Sequence, residues 1–438
     1  MMKSHINRRT LLQRLAGAAM LPMAMRTMGA EAAAASGTIL VVIDLVGGND
    51  GLNTIVPLNS AQYGQYALLR PSVGLPLANL KLRFDANSQV AVGSGQTYAF
   101  NPAMALNYAS GNKALPVLTN SLPGLYNGGH LAVIVGAGLP DTDSQRTNHY
   151  CAAMDWYAGQ PEAWSGVGAS NGWLGQALSR AKVGQLGPTA SMYGSTLLIK
   201  GAANGGLVIG SSLQYFAPSY VPGVNNLPAA YAQWLATPAS RGPALAFADQ
   251  LAANTVKAAG FVEAINASVS IADYPWMNAN NQTYLEQQLS SIAQLIRGDS
   301  GIRGYATQLY SFDTHSSQLS EHAPLLSTLS GAMANFYAYL KAKNVSSNVV
   351  IMTISEFGRT PHDNSAFGTD HGQASVCFVL GDSVKGGVYG DYPSLTNLDQ
   401  GQLGVTVDFR NVLSDVINKI GGNPAEIVGE NYPRLGFI

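Results

Sequence analysis

Acidic and imidazole side chains recur in this chain where apolar runs stop or start. Asp50 follows the run Gly37 to Val46; Asp313 and His315 follow Gly304 to Phe312; Glu356 and Arg359 follow Val349 to Ile354; Asp370 and His371 precede Ala374 to Leu380. Carboxylate oxygens and imidazole nitrogens together suit a divalent ion such as Zn, Mn, Fe or Mg, with Ca the all-oxygen extreme, and no thiolate is required. The competing reading is a polar network in which these residues cap helices and bond to one another. A lone Asp-x-His is weak; such clusters at successive strand ends are what favour a metal.

The apolar runs decide where those side chains sit. Val349 to Ile354, and Gly37 to Val46 with Asp44 as its one charged residue, read as strands covered on both faces. Open α/β sheets keep their sites at the carboxyl ends of such strands. In Gly47-Gly48-Asn49-Asp50-Gly51 the glycines allow a tight turn that brings backbone close to a ligand, although the same pattern serves ordinary turns. A helix starting near Gln318-Leu319, with Leu325, Leu326, Leu329, Met333, Phe336 and Leu340 on its apolar face, links the Asp313–His315 strand to the Glu356 strand as a right-handed βαβ unit. Its His322 is expected on the helix surface, and His362 in a loop beside Pro361, both outside a ligand set.

A second group follows the buried run Leu131 to Gly136, which His130 precedes. Ser144, Thr147, Asn148 and His149 lead into a helical stretch from Cys151 to Tyr157. Side-chain oxygens near a helix start, where free amides favour an anion, could bind an ester's charged group; capping accounts for at least one of them.

Elsewhere the signals are structural. A short helix near Ala114 is expected to end at Pro123, and short strands at Thr196 to Ile199 and Gly206 to Ile209 lie in a Gly-, Ser- and Tyr-rich stretch read as peripheral. Leu245 to Val269 and Asn281 to Ile296 carry helical apolar spacing. Charged residues make up 11% of the chain and the net charge is −1, so a basic footprint for nucleic acid is missing, while 47% apolar residues supply a core. Cys151 and Cys377 are read as two buried free thiols.

The amino terminus places Arg8 and Arg9 ahead of the apolar run Leu15 to Met23, which is too short to span a membrane and is followed by small residues. This resembles a twin-arginine signal over residues 1–35, ahead of one domain at 36–438 with its insertion at about 160–240. A protein read by the twin-arginine export machinery folds before it crosses, which suits a cofactor loaded beforehand. Periplasmic or secreted location, with no membrane span in the mature chain, is the corresponding expectation.

Gly47-Gly48-Asn49-Asp50-Gly51-Leu52-Asn53-Thr54, Phe312-Asp313-Thr314-His315, Ser355-Glu356-Phe357-Gly358-Arg359-Thr360, Gly368-Thr369-Asp370-His371-Gly372 and Gly386-Gly387-Val388-Tyr389-Gly390, with the leader, resemble the domain of unknown function 1501 (DUF1501) family over nearly the whole chain. That resemblance implies exported bacterial proteins related to alkaline phosphatases and sulfatases. It implies an α/β three-layer sandwich with a parallel-rich central sheet and helices on both faces, a two-metal centre, and hydrolysis of phosphate or sulfate esters, glycan esters included. By position, Asp50 resembles the first-strand metal ligand, Asp313 with His315 (or His322) the next pair, Glu356 a position usually Asp followed by His, and Asp370-His371 the later histidine ligand.

Two departures stand out. Phe357 occupies the place of an imidazole, and Asn148 stands before His149-Tyr150 where similar proteins tend to carry Ser. The attacking group is therefore Thr147, Ser144 or water activated by the metal, with Arg359 or a helix start steadying the anion. The alternative is a binding or surface-assembly protein of the cell envelope whose metal site has decayed.

Overall fold

The computed structural model describes residues 37–86, 91–92, 97–105, 120–140, 142–165, 171–181, 186–194, 196–201, 206–213, 257–270 and 282–438. The leader, the stretch around Ala114 and residues 245–256 lie outside the described residues, as does Asn281.

Ile39–Leu45 (β1) is buried along its whole length, as its apolar sequence dictates. It ends at a glycine pair and a four-residue helix, Gly51–Thr54 (α1). Ile55–Pro57 (β2), Leu82–Phe84 (β3), Ala91–Val92 (β4) and Tyr98–Phe100 (β5) form a small antiparallel sheet in the order β2-β5-β3-β4. Between its strands Ser60–Leu69 (α2) is followed directly by Arg70.

The main sheet is completed by Leu131–Gly138 (β6), Thr189–Ser191 (β7), Leu207–Val208 (β8), Gly304–Leu309 (β9), Val349–Ile354 (β10), Ser375–Gly381 (β11), Gly387–Tyr389 (β12) and Val407–Asp408 (β13). Its order is β12-β6-β11-β10-β1-β9-β7-β8, with β13 also on β6. Pairing is parallel except that β11 runs antiparallel to both β10 and β6. That reversal matters for the site. It puts the start of β11, and with it Asp370 and His371, at the edge where β1, β9 and β10 end.

Helices cover both faces, so the fold is α/β with a mostly parallel sheet. Tyr284–Arg297 (α5) and Gln318–Ala342 (α6) pack with Val41, Ile43 and Leu45 of β1 on one side. His149–Ala158 (α4) and Phe409–Lys419 (α7) pack with Leu40 and Val42 on the other. Alternation of side chains along one strand thus feeds two cores. Leu122–Asn127 (α3) differs from the expectation at Pro123: the proline sits in the first turn and starts this helix, where its missing amide costs nothing. Thr196 to Ile199 forms a turn of 3-10 helix at Leu197–Ile199, capped by the Thr196 side chain, because that cap competes with strand pairing. β7 and β8, from the stretch read as peripheral, extend the main sheet at its edge. Both cysteines are buried and unpaired.

The helix α4, which starts at His149, is fixed by a pair of buried carboxyls. Asp155 in its middle receives the amide of Ala163 at 2.6 Å, and Asp143 in the preceding turn receives that of Gln145 at 2.9 Å. Burial and the facing Asp143 push the Asp155 carboxyl up to about 8, so it keeps a proton that the unfolded chain releases near the ordinary 3.8. Between those values the folded state binds more protons, and stability falls as pH rises. Asp155→Asn can keep the hydrogen bond without the proton. Chemical denaturation at pH 5 and pH 8 should show the variant losing less stability than the parent, by at most about 1.4 kcal/mol per pH unit; equal losses would count against a shared proton.

Candidate metal centre

At the carboxyl edge of the sheet, His149, Asp313 and His371 present donor atoms that all lie within 4.8 Å of one another. His149 comes from the first turn of α4, Asp313 from the segment after β9, and His371 from the approach to β11. Left-handed backbone at Ser311 (φ 82°) and Ser317 (φ 49°) brackets Asp313 to His315, an unusual conformation for side-chain-bearing residues. Asp313 remains 43% exposed at the mouth.

Each imidazole is held through Nδ1. His149 Nδ1–H donates to Glu356 Oε1 at 2.5 Å, His371 Nδ1–H to the Thr147 carbonyl at 2.9 Å, and His315 Nδ1–H to Asp370 Oδ1 at 2.9 Å. A neutral imidazole that donates from Nδ1 offers a lone pair at Nε2. The three Nε2 atoms turn toward Asp313. Its Oδ1 is 3.0 Å from His315 Nε2 and 3.3 Å from His371 Nε2, and its Oδ2 is 3.5 Å from His149 Nε2. His315 Nε2 and His371 Nε2 stand 3.0 Å apart. Lone pairs facing one another at such distances are relieved by a cation, or by a proton, placed between them. Ligands of one tetrahedral ion with bonds near 2.1 Å are about 3.4 Å apart, so the donor set fits a divalent ion.

The electrostatics point the same way. Burial lowers the His371 pKa, helped by the charges of Arg359 and His149, and keeps this ring neutral and available. The Glu356 hydrogen bond outweighs burial at His149 and raises its pKa, making Nε2 a more basic donor. At Asp313 burial acts upward, but the Arg359 hydrogen bond and charge prevail and hold the carboxyl below its usual value. Asp370 is also lowered, by hydrogen bonds from Asn364 and His315.

The structure separates the residues singled out by sequence into those that converge and those that support. Glu356 is buried, and its Oε1 accepts from His149 and from the Gly47 amide at 3.0 Å, so it orients a ligand instead of joining the set. Asp370 does the same for His315. Asp50 lies apart from the cluster because both of its oxygens are taken: Oδ1 by the amides of Leu52 and Asn53, Oδ2 by Arg70 Nη1 at 2.6 Å and by Gln318.

Arg359, expected beside the substrate, is fully buried. Its guanidinium donates to the carbonyls of Gly48, Thr369, Phe312 and Gly47, and reaches Asp313 Oδ1 at 2.5 Å. Asn148 caps α4 by accepting the Cys151 amide at 3.2 Å; Thr147 supplies its carbonyl to His371; Ser144 is exposed on the preceding turn. His322 is buried, not on the helix surface, because α6 turns it inward to Asn49 Oδ1 at 2.9 Å, and burial lowers its pKa to about 4.

His149 is the ligand that pattern reading assigned to a different role. A histidine opening a helix just after a strand end was the available signal. Arg70 carried none, since it stands near no motif, and Gln318, three residues after His315, was read only as a helix start.

Fold and site together define an α/β protein with a candidate His/Asp metal centre at the carboxyl edge of its sheet. Residues 274–430 match the model of the family described as "Protein of unknown function (DUF1501)", the family that the chain's motifs resemble. No curated protein sequence matches the chain. Among solved structures it is similar to the PsFucS1 sulfatase from Pseudoalteromonas sp., at 12% identity and a TM-score of 0.37, over 95% of this chain and 77% of that one. It is also similar to the alkaline phosphatase from the Antarctic bacterium TAB5, at 10% identity and a TM-score of 0.31, over 79% of this chain and 92% of that one. Neither likeness is strong enough to bear on activity.

Glu356 is the natural test of the centre. Glu356→Gln loses the carboxylate that orients His149, and such losses typically weaken metal binding 10–100-fold. Calorimetric titration with Zn²⁺ or Mn²⁺ should show that weakening with the circular dichroism unchanged; unaltered affinity would remove Glu356 from the supporting role.

Proposed function

We propose that the protein is an exported metal-dependent hydrolase of phosphate or sulfate esters, with the ion held by His149, Asp313 and His371 and with His315 beside it. The observation that carries this reading is the convergence of Nε2 atoms on Asp313 while every Nδ1 is tied to an acceptor. A divalent ion at that point polarises an ester oxygen and lowers the pKa of a water molecule.

The chain's own part is positional. Glu356, Asp370 and the Thr147 carbonyl fix the imidazoles in one tautomer, and Arg359 holds the Asp313 carboxylate ionised. Phe357 packs 4.5 Å from the His371 ring and 5.0 Å from the His149 ring, closing the site's floor to water. Both large buried cations, Arg70 and Arg359, are committed to protein acceptors. The ester's anionic group is therefore left to the ion and to the exposed edge of the imidazoles. Thr147 and Ser144 lie on the same turn and remain the side chains from which a hydroxyl nucleophile would come.

Export fits the twin-arginine pattern ahead of residue 36, and no helix among the described residues is long and apolar enough to cross a membrane. Periplasmic or secreted location belongs to this proposal.

The test is an ester screen on the metal-loaded protein with aryl phosphates, aryl sulfates and sulfated or phosphorylated sugars. Turnover should vanish with a chelator, return with the metal, and drop at least 100-fold in His371→Ala. Turnover that survives chelation and His371→Ala would reject the centre as its source.

A further inference from the structure

We infer that the centre takes a single divalent ion per chain, and that the buried guanidinium of Arg70 stands at Asp50 where a second cation would otherwise be held. The inference rests on the metal-centre reading above, and departs from the two-metal arrangement that the sequence resemblance implies.

Asp50 is the residue on which a second ion would depend, and it has no coordination left. Its carboxylate oxygens receive four donors: the Leu52 amide at 3.2 Å, the Asn53 amide at 3.4 Å, Arg70 Nη1 at 2.6 Å and the Gln318 side-chain amide. An ionised carboxyl has about four lone-pair sites, so the set is complete. Burial acts to raise its pKa, but the Arg70 charge and hydrogen bond prevail and keep it ionised.

Arg70 is equally committed. It is fully buried, and its remaining donors reach the Pro361 carbonyl at 2.9 Å, Asn53 Oδ1 at 2.9 Å and the Thr360 carbonyl at 2.7 Å. A planar, permanently charged fork with an acceptor at each of its three nitrogens is not displaced by an ion competing for one oxygen. Gln318, the other partner of Asp50, is locked by the Thr314 hydroxyl at 3.1 Å and by the Thr369 hydroxyl.

The imidazoles that could serve a second ion are also spent. His322 meets Asn49 Oδ1 at 2.9 Å, inside the protein. The position after Glu356 is Phe357, whose ring packs against His371 and His149. His315 Nε2 stands 3.0 Å from His371 Nε2, a separation that suits two ligands of one ion.

Metal counting on the intact protein separates the possibilities. The chain is stripped with a chelator, reloaded with excess Zn²⁺ or, separately, Mn²⁺, freed of unbound ion, and analysed by mass spectrometry of the metal alongside calorimetric titration. One ion per chain is expected, with the same count in Asp50→Asn and none in His371→Ala. Two ions in the parent protein, or a lower count in Asp50→Asn that remains folded by circular dichroism, would overturn the single-ion inference and leave the metal centre standing. No ion in the parent would overturn both. The parent count needs no variant, so a failure of Asp50→Asn to fold does not remove the test.

Discussion

A fully buried guanidinium holds the site together. Arg359 spans the turn after β1, the end of the β9 segment and the loop before β11, donating to a carbonyl in each and to the Asp313 carboxylate. Burying such a charge is costly unless it is hydrogen-bonded and paired, and here each guanidinium nitrogen has an acceptor and Asp313 is the counter-ion. Lysine could not replace it, since its three donors radiate from one nitrogen, whereas the acceptors here are spread along the three nitrogens of a guanidinium. The arrangement also explains why close backbone contact is needed: a Cβ on Gly47 would stand 2.3 Å from the Asp313 amide, and one on Gly48 2.4 Å from the Phe357 ring. These glycines, at φ 117° and 86°, allow three loops to share one arginine.

Around that clamp the polar residues sort into two layers. The inner one, with Arg70, Asp50, Gln318, Asn49 and His322, is buried and bonded within itself, the Asn49 side-chain nitrogen excepted, and it joins α1, the end of α2 and the start of α6. The outer one, with His149, Asp313, His315 and His371, is open and leaves its nitrogens facing each other. Charge inside the protein is balanced by protein; charge at the mouth is left for something that arrives.

Much of this was legible in the chain. Uninterrupted apolar runs fixed β1, β10 and β11, and their ends correctly marked Asp313, His315, Glu356, Asp370 and His371 as neighbours. What could not be read was which of several adjacent acids joins the ligand set. Glu356 is taken by the Gly47 amide and the His149 ring, both far away in the chain, and Asp370, although exposed, is taken by His315 Nδ1 and Asn364. Asp50 looks the same on paper whether it binds a metal or an arginine, because Arg70 stands at the end of a weakly amphipathic helix with no motif to announce it. The antiparallel direction of β11 is likewise invisible in an apolar run, yet it brings His371 to the correct edge.

The position of β1 has a consequence for how the chain is made. Its sheet neighbours are β9 and β10, whose residues follow it by roughly 260 to 310 positions, so the first strand of the domain waits through most of the chain before it is enclosed. While the ribosome works through the intervening residues, Ile39 to Leu45 is an apolar ribbon with two open hydrogen-bonding edges. Until β9 and β10 are made, that ribbon is a place where the nascent chain can mispair or aggregate.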